Sequence, residues 1–127
     1  MMVKTGSIHD ITPMCFPSGR KTRVMIGQNG LVKGAMFCQG YVEIDKCGSI
    51  PVHSHETFES YTILEGKGVL TLDGERIRME KGDFVYIEPG QNHGLENTGE
   101  EKTVIMFVYA PQIIVDHWEK EIDGALK

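Results

Sequence analysis

Two histidines one residue apart are the feature of this sequence that most suggests chemistry. They are His53 and His55 in the segment HSHETFE, and a carboxylate, Glu59, follows four residues after the second. In a β-strand, residues i and i+2 point to the same side, so the two imidazoles would project together. A further histidine, His93, lies in the distant segment PGQNHGLEN. Three imidazoles and a carboxylate would form a mixed nitrogen and oxygen site, which suits divalent manganese, iron, nickel, cobalt or zinc.

The same residue types can also serve structure alone. A polar turn that carries histidines is one alternative, and buried histidines that only form hydrogen bonds are another. Tyr61 lies two residues after Glu59 and would share its face of a strand, where its hydroxyl could contact a substrate. Tyr61, Glu56 and Arg23 are the candidates for a general acid or base besides the metal ligands. Glu56 is also typical of a solvated loop carboxylate.

Short strands are the elements expected to position these residues. The 127 residues include 15 glycines at short intervals, which is typical of many strands joined by turns. The segments 84–87 and 103–109 are apolar nearly throughout, which predicts that 84–87 is a buried strand and that 103–109 is a strand buried on both faces. Strands are predicted for the β-branched or apolar segments 22–27, 34–44, 61–64, 69–72, 75–79, 84–87 and 103–109.

Glycine-containing segments predict how these strands are connected. Asp73-Gly74 predicts a two-residue type I′ turn, because both central residues of that turn need a positive φ. The EGKG segment at 65–68 lies between two strand-like segments and predicts a hairpin turn. Gly40 lies inside a predicted strand and indicates a bulge.

One helix is predicted, and it comes last. After Pro111, apolar residues recur every four positions, at Ile114, Trp118 and Ile122, and Gly124 is placed to end the helix. Many short strands followed by one helix predict an all-β barrel or sandwich, in which the helix covers an edge or an open end.

Composition narrows the classes of function. Thirteen basic and 18 acidic residues give a net charge of −5, and no basic stripe indicates a nucleic-acid partner. No segment approaches the ~20 apolar residues of a membrane span. The three cysteines, Cys15, Cys38 and Cys47, are an odd number without CxxC spacing, which favours free thiols in a reducing compartment. We therefore expect a cytoplasmic protein with a single domain over residues 1–127.

Two segments resemble the motifs of the cupin superfamily. The first motif is a glycine, a five-residue gap, HxH, three or four residues, Glu, six residues and Gly. This chain has Gly48, then a four-residue gap, His53, His55, Glu59 and Gly66, so Cys47 occupies the nominal glycine position.

The second motif is Gly, five residues, Pro-x-Gly, two residues, His, three residues and Asn. Here it is carried by Gly82, Gly90, His93 and Asn97, with Glu88 in the proline position. The motifs span residues 48–66 and 82–97, or about two-fifths of the chain.

The resemblance implies a fold and a ligand set. The fold would be a double-stranded β-helix, or jelly-roll barrel, of six to eight strands in a homodimer. His53, His55, Glu59 and His93 match the family's four metal ligands, which would hold one divalent transition metal (Mn, Fe, Ni, Co or Zn). Such a site leaves two coordination positions for water, substrate or dioxygen.

The resemblance leaves two functions open. One is a metal-dependent enzyme for a small oxygen-rich metabolite, with isomerase, decarboxylase, lyase or dioxygenase chemistry and Tyr61 as the candidate catalytic residue. The other is a non-catalytic sensor that binds a small molecule in the barrel. A metal-free structural barrel agrees least with the intact set of ligands.

Overall fold

The computed structural model of the protein describes residues 3–111 and 117–122, which form ten β-strands, a short 3-10 turn (Ile8–Asp10) and an α-helix. The strands are β1 (Met14–Cys15), β2 (Arg20–Ile26), β3 (Cys38–Ile44), β4 (Ser49–His53), β5 (Phe58–Glu65), β6 (Lys67–Leu72), β7 (Glu75–Glu80), β8 (Phe84–Ile87), β9 (His93–Asn97) and β10 (Thr103–Ala110). The helix is α1 (His117–Ile122). No helix in the described ranges is long and apolar enough to cross a membrane.

The strands form two sheets, and this confirms the prediction of an all-β protein. The six-stranded sheet has the order β1-β2-β3-β10-β5-β8, and the four-stranded sheet has the order β4-β9-β6-β7. Neighbouring strands within both sheets are antiparallel. Strands that are distant in sequence therefore lie side by side, which brings the two histidine segments into one sheet.

The core lies between the inner faces of the two sheets. Alternate residues of β2 and β3 are buried, as expected for strands with one face in the interior. Each fully buried aliphatic side chain contributes on the order of 1.5–3 kcal/mol through removal of apolar surface from water. The most deeply buried aliphatic residues are Val42, Ile44, Ile63, Leu70, Ile87, Leu95 and Ile105.

The predicted hairpin at residues 65–68 is wrong. β5 pairs with β10 and β8, whereas β6 pairs with β7 and β9, so the chain passes from one sheet to the other at Gly66. Gly66 has φ +82, and a Cβ there would lie 2.8 Å from the Lys102 carbonyl oxygen and 2.9 Å from the Thr103 Cα. Glycine is needed because the crossing combines a left-handed backbone with close contact to β10. Asp73 and Gly74, with φ 47 and 86, form the predicted turn between β6 and β7.

Burial of β8 and of both faces of β10 was also predicted, and here the structure differs. β8 is an edge strand, so Phe84 and Tyr86 are exposed while Ile87 is buried. β10 lies in the middle of its sheet, with one face buried and with Met106 and Val108 half-buried on the other. A short apolar segment does not encode whether its strand is central or at an edge.

Two other predicted features depend on local packing. Strand β3 begins at Cys38, later than predicted, and the pairing of β2 with β3 shifts register between Val24 and Ile26, opposite Gly40. A Cβ at Gly40 would lie 2.3 Å from the Phe107 ring. The described part of the predicted helix is α1, and the positions of Ile114 and Gly124 lie outside the described residues.

The crossing between the sheets gives the first test. We expect Gly66→Ala to lower the free energy of unfolding by about 3 kcal/mol, because backbone strain and overpacking add. Gly74→Ala is the matched control, since it has the same sign of φ but nothing within 4 Å of the new Cβ, and should cost about 1 kcal/mol. Urea denaturation measures both, and equal losses would contradict the role of close packing at Gly66.

Candidate metal centre

Strand register brings the two histidine segments together. His53 ends β4 and His93 begins β9, and the two residues are directly paired across the sheet, with ring centroids 4.3 Å apart. Glu59, the second residue of β5, reaches the same point from the other sheet. His55 lies in the loop after β4, so strand alternation does not orient it as predicted. Its ring nevertheless lies 5.6 Å from that of His53.

The four side chains offer ligand atoms that converge on one point. One atom of each residue lies within 4.8 Å of the corresponding atoms of the other three, a separation that could hold one metal ion. Glu59 Oε1 lies 3.0 Å from both His55 Nε2 and His93 Nε2. The side chains of these three residues are at most 7% exposed.

The outer nitrogen of each imidazole is held by a neighbouring oxygen. His53 Nδ1 lies 2.7 Å from the Pro51 carbonyl oxygen, and His93 Nδ1 lies 2.9 Å from that of Gln91. His55 Nδ1 lies 2.5 Å from the hydroxyl of Thr57. Hydrogen bonds of this kind fix the tautomer and the ring orientation of metal-ligating histidines.

Proton counting at His93 indicates that the cluster needs a positive charge. The Gln91 carbonyl can only accept a hydrogen bond, so His93 Nδ1 carries a proton. In a neutral ring Nε2 then presents a lone pair to the Glu59 carboxylate at 3.0 Å, an unfavourable contact. Either a second proton on His93 or a metal cation between the groups relieves it. The donor set therefore fits a divalent transition metal.

The electrostatics of the cluster favour ligands in their metal-binding forms. Burial, with the neighbouring His93, lowers the pKa of His53 from 6.5 to about 3, so the imidazole stays neutral. Burial alone would raise the pKa of Glu59, but hydrogen bonds and positive charge that protonated His55 and His93 would supply outweigh it, and the pKa lies below its ordinary value. Metal ligation requires both forms, a neutral imidazole and an ionised carboxylate.

A small cavity adjoins the cluster, and Tyr61, the candidate catalytic residue, is one of the residues that line it. Its volume is about 20 Å³, which is room for one or two water molecules. Tyr61 is 3% exposed, and burial raises the pKa of its hydroxyl well above 10. The lining residues are Arg20, Val42, Ile50, His53, His55, Glu59, Tyr61, Phe107, Tyr109 and Trp118.

The other candidate acids and bases lie away from this cavity. Glu56 is exposed in the loop, in agreement with its alternative interpretation. Arg23 is on the opposite face of β2 from the core, where it pairs with Glu43 at 2.5 Å and donates to the Ile11 carbonyl.

The cysteines are free thiols, as predicted. Burial raises the pKa of the Cys38 thiol, which hydrogen-bonds with Tyr109, so Cys38 is not poised as a thiolate. Cys47 is exposed and has φ 66, a left-handed backbone that glycine adopts most readily.

Sequence reasoning missed Arg20 and Glu121. Arg20 is buried on the inner face of β2, and its side chain pairs with that of Glu121 on α1. The alternation of β2 contained part of this signal, because Arg20 shares a face with Thr22 and Val24. Nothing in the sequence indicated that Glu121, 101 residues away, would be its partner.

Comparison with known proteins now decides the family. The family model described as "Cupin domain" matches residues 40–109, more than half of the chain. The chain belongs to the cupin family. The matched range contains all four residues of the candidate metal centre.

The sequence of this cupin is similar to those of proteins named for different activities. It is 27% identical over 94 residues to the tetracenomycin polyketide synthase protein TcmJ of Streptomyces glaucescens, covering 73% of this chain and 62% of the relative. It is 40% identical over 52 residues to an oxalate-binding protein of Thermotoga maritima, covering 40% and 43%. These matches span less than two thirds of either relative.

A solved structure confirms the shared fold. The crystal structure described as a predicted oxalate decarboxylase from Thermotoga maritima has a TM-score of 0.75 and 22% identity, covering 87% of this chain and 100% of that one. At this identity the likeness concerns the fold alone.

The low pKa of His53 predicts acid sensitivity. Because the folded pKa lies below that of the unfolded chain, the unfolded state binds more protons as the pH falls from about 6.5 toward about 3, and stability falls with it. Between pH 7 and pH 5, metal-free wild type should lose about 2 kcal/mol more than His53→Gln in its free energy of unfolding. Urea denaturation in the presence of a chelator measures this difference.

Exposed His9 provides the control for this experiment. His9→Gln should retain the wild-type loss. An identical loss in all three proteins would contradict the burial of a neutral His53.

Proposed function

We propose that this cupin is a metal-dependent enzyme that acts on a small oxygen-rich metabolite. The observation that carries the proposal is the convergence of His53, His55, Glu59 and His93, with outer hydrogen bonds that turn the imidazoles inward. These residues would hold one divalent transition metal: Mn, Fe, Ni, Co or Zn. When bound, such a metal supplies Lewis-acid chemistry, or dioxygen chemistry if it is iron.

The residues around the centre suit a compact polar ligand. The cavity as it stands holds only one or two water molecules, which disfavours a polycyclic substrate, and the ligand we propose is a keto acid, a dicarboxylate or a sugar derivative of few atoms. Apolar walls from Val42, Ile50 and Phe107 exclude bulk water, which strengthens electrostatic interactions at the reacting atoms.

Tyr61 is the proposed catalytic residue among these groups. Its hydroxyl keeps its proton at neutral pH because burial raises its pKa, so it would act as a hydrogen-bond donor or general acid. It would donate to an oxygen of the substrate on which negative charge develops.

A non-catalytic role is the second candidate. The similarity to a protein named as oxalate-binding favours a small-ligand sensor, and so does the scarcity of acid and base groups lining the described cavity. Turnover of a bound ligand separates the two functions. In either case we expect a homodimer with a single domain.

Removal of two ligands tests the metal centre. We expect His53→Ala/His93→Ala to abolish stoichiometric metal binding while far-UV circular dichroism still reports a β-protein, because two of four ligands are lost. Elemental analysis after titration with Mn(II) or Fe(II) measures the metal content, and His9→Ala is the matched control. Stoichiometric metal in the double variant would contradict the ligand assignment.

Tyr61→Phe tests the enzymatic role. In metal-loaded protein, screened with keto acids, dicarboxylates and sugar acids, we expect kcat to fall about 100-fold without a change in metal content. Tyr86→Phe, at an exposed position of the edge strand, is the control. An unchanged kcat would assign Tyr61 to packing.

A further inference from the structure

Arg20 and Glu121 form a buried ion pair beside the metal centre. The Arg20 Nε donates to Glu121 Oε2 at 2.8 Å, and Nη2 donates to Oε1 at 2.6 Å. The two side chains are 2% and 0% exposed. The pair joins the inner face of β2 to helix α1, and Arg20 lines the cavity.

The surroundings of Arg20 form a receptor for a carboxylate. Two parallel N–H···O bonds are the geometry by which a guanidinium recognises a planar carboxylate. The Phe16 ring centroid lies 3.8 Å from the guanidinium carbon and that of Trp118 lies 5.9 Å away, while Thr22 accepts a bond from Nη1 at 2.5 Å. Contacts with Phe16, Trp118 and Thr22 thus fix the plane of the guanidinium independently of Glu121.

Arg20 also borders the cavity that adjoins the candidate metal centre. It lines the same cavity as His53 and Glu59, and it interacts electrostatically with Tyr61, whose ring centroid is 5.8 Å from that of His93. A ligand of a few atoms could therefore contact both the metal and the guanidinium.

With Glu121 in place, the cavity is too small for such a ligand. About 20 Å³ accommodates one or two water molecules, whereas a dicarboxylate has at least six non-hydrogen atoms. Trp118, which lines the cavity, is on the same short helix as Glu121. Displacement of the Glu121 carboxylate would therefore do two things. It would move Trp118, which is part of the cavity wall, and it would release the Arg20 Nε and Nη2 donors for a ligand.

We propose that Arg20 is the specificity residue for a small dicarboxylate or keto acid, and that Glu121 is an internal carboxylate that occupies Arg20 until the ligand replaces it. One ligand carboxylate takes the place of Glu121 on Arg20, and the other oxygen atoms face His53, His55, Glu59 and His93. The inference rests on the proposed metal centre and names the class of ligand for it.

Substitutions that weaken the interaction of Glu121 with Arg20 should strengthen ligand binding. We expect Glu121→Gln, in Mn(II)-loaded protein, to bind oxalate about tenfold more tightly by calorimetry, because the competing charge is removed while Arg20 is kept. Ser18→Ala removes only the 2.6 Å hydrogen bond from the serine hydroxyl to Glu121 Oε2 and should tighten binding about threefold. Ser18→Ala leaves the ion pair intact, so it tests the inference even if Glu121→Gln is unstable.

Removing the whole pair should have the opposite effect. Arg20→Met/Glu121→Leu replaces a buried ion pair by apolar side chains of similar size, a change that proteins often tolerate. We expect its oxalate affinity to fall at least tenfold below wild type with unchanged Mn(II) content. Glu96→Gln, in the exposed pair with Arg76, is the matched control and should behave as wild type.

The outcomes distinguish this inference from the proposed function. Equal oxalate affinity in wild type, Ser18→Ala and the double variant, with Mn(II) bound in each, would overturn the role of Arg20 and leave the metal centre intact. Absence of Mn(II) binding in wild type would overturn the metal centre and this inference with it.

Discussion

The buried carboxylate of Glu59 between two imidazoles is the constraint on which the site depends. An uncompensated charge in an apolar interior is costly, so Glu59 must be balanced by nearby positive charge. His55 and His93 lie 3.0 Å from its Oε1, and the Gln91 carbonyl fixes the proton on the far side of His93. A divalent cation satisfies this geometry with the imidazoles in their neutral forms.

The two sheets are arranged so that this cluster can form. His53 and His93 meet through direct pairing of β4 with β9, and Glu59 comes from β5 in the other sheet. Gly66 allows the chain to leave one sheet for the other without steric conflict with β10. The site therefore lies between the sheets, where apolar side chains exclude water and strengthen electrostatic interactions.

Local patterns in the sequence predicted seven of the ten described strands, and the resemblance to the cupin motifs grouped the four candidate ligands. Local patterns failed where the answer depends on distant contacts. The turn residues at 65–68 do not specify which sheet the next strand joins, and the apolar segment 84–87 does not specify an edge position. Arg20 was overlooked in favour of Arg23 because only the register of β2 decides which arginine faces the core.

Arg20 gives the interior a second charged centre beside the imidazole cluster. Its carboxylate partner comes from the helix that contributes Trp118 to the cavity wall. The interior thus contains two groups that suit oxygen ligands, the candidate metal cluster and the guanidinium. This pairing explains how a small cavity with few acids and bases could select an oxygen-rich molecule.

Elemental analysis of the protein, purified without a histidine tag or added metal, tests the central claim most directly. The account predicts close to one divalent transition metal ion per chain. Absence of metal, together with no binding when Mn(II), Fe(II), Ni(II), Co(II) or Zn(II) is titrated, would contradict it.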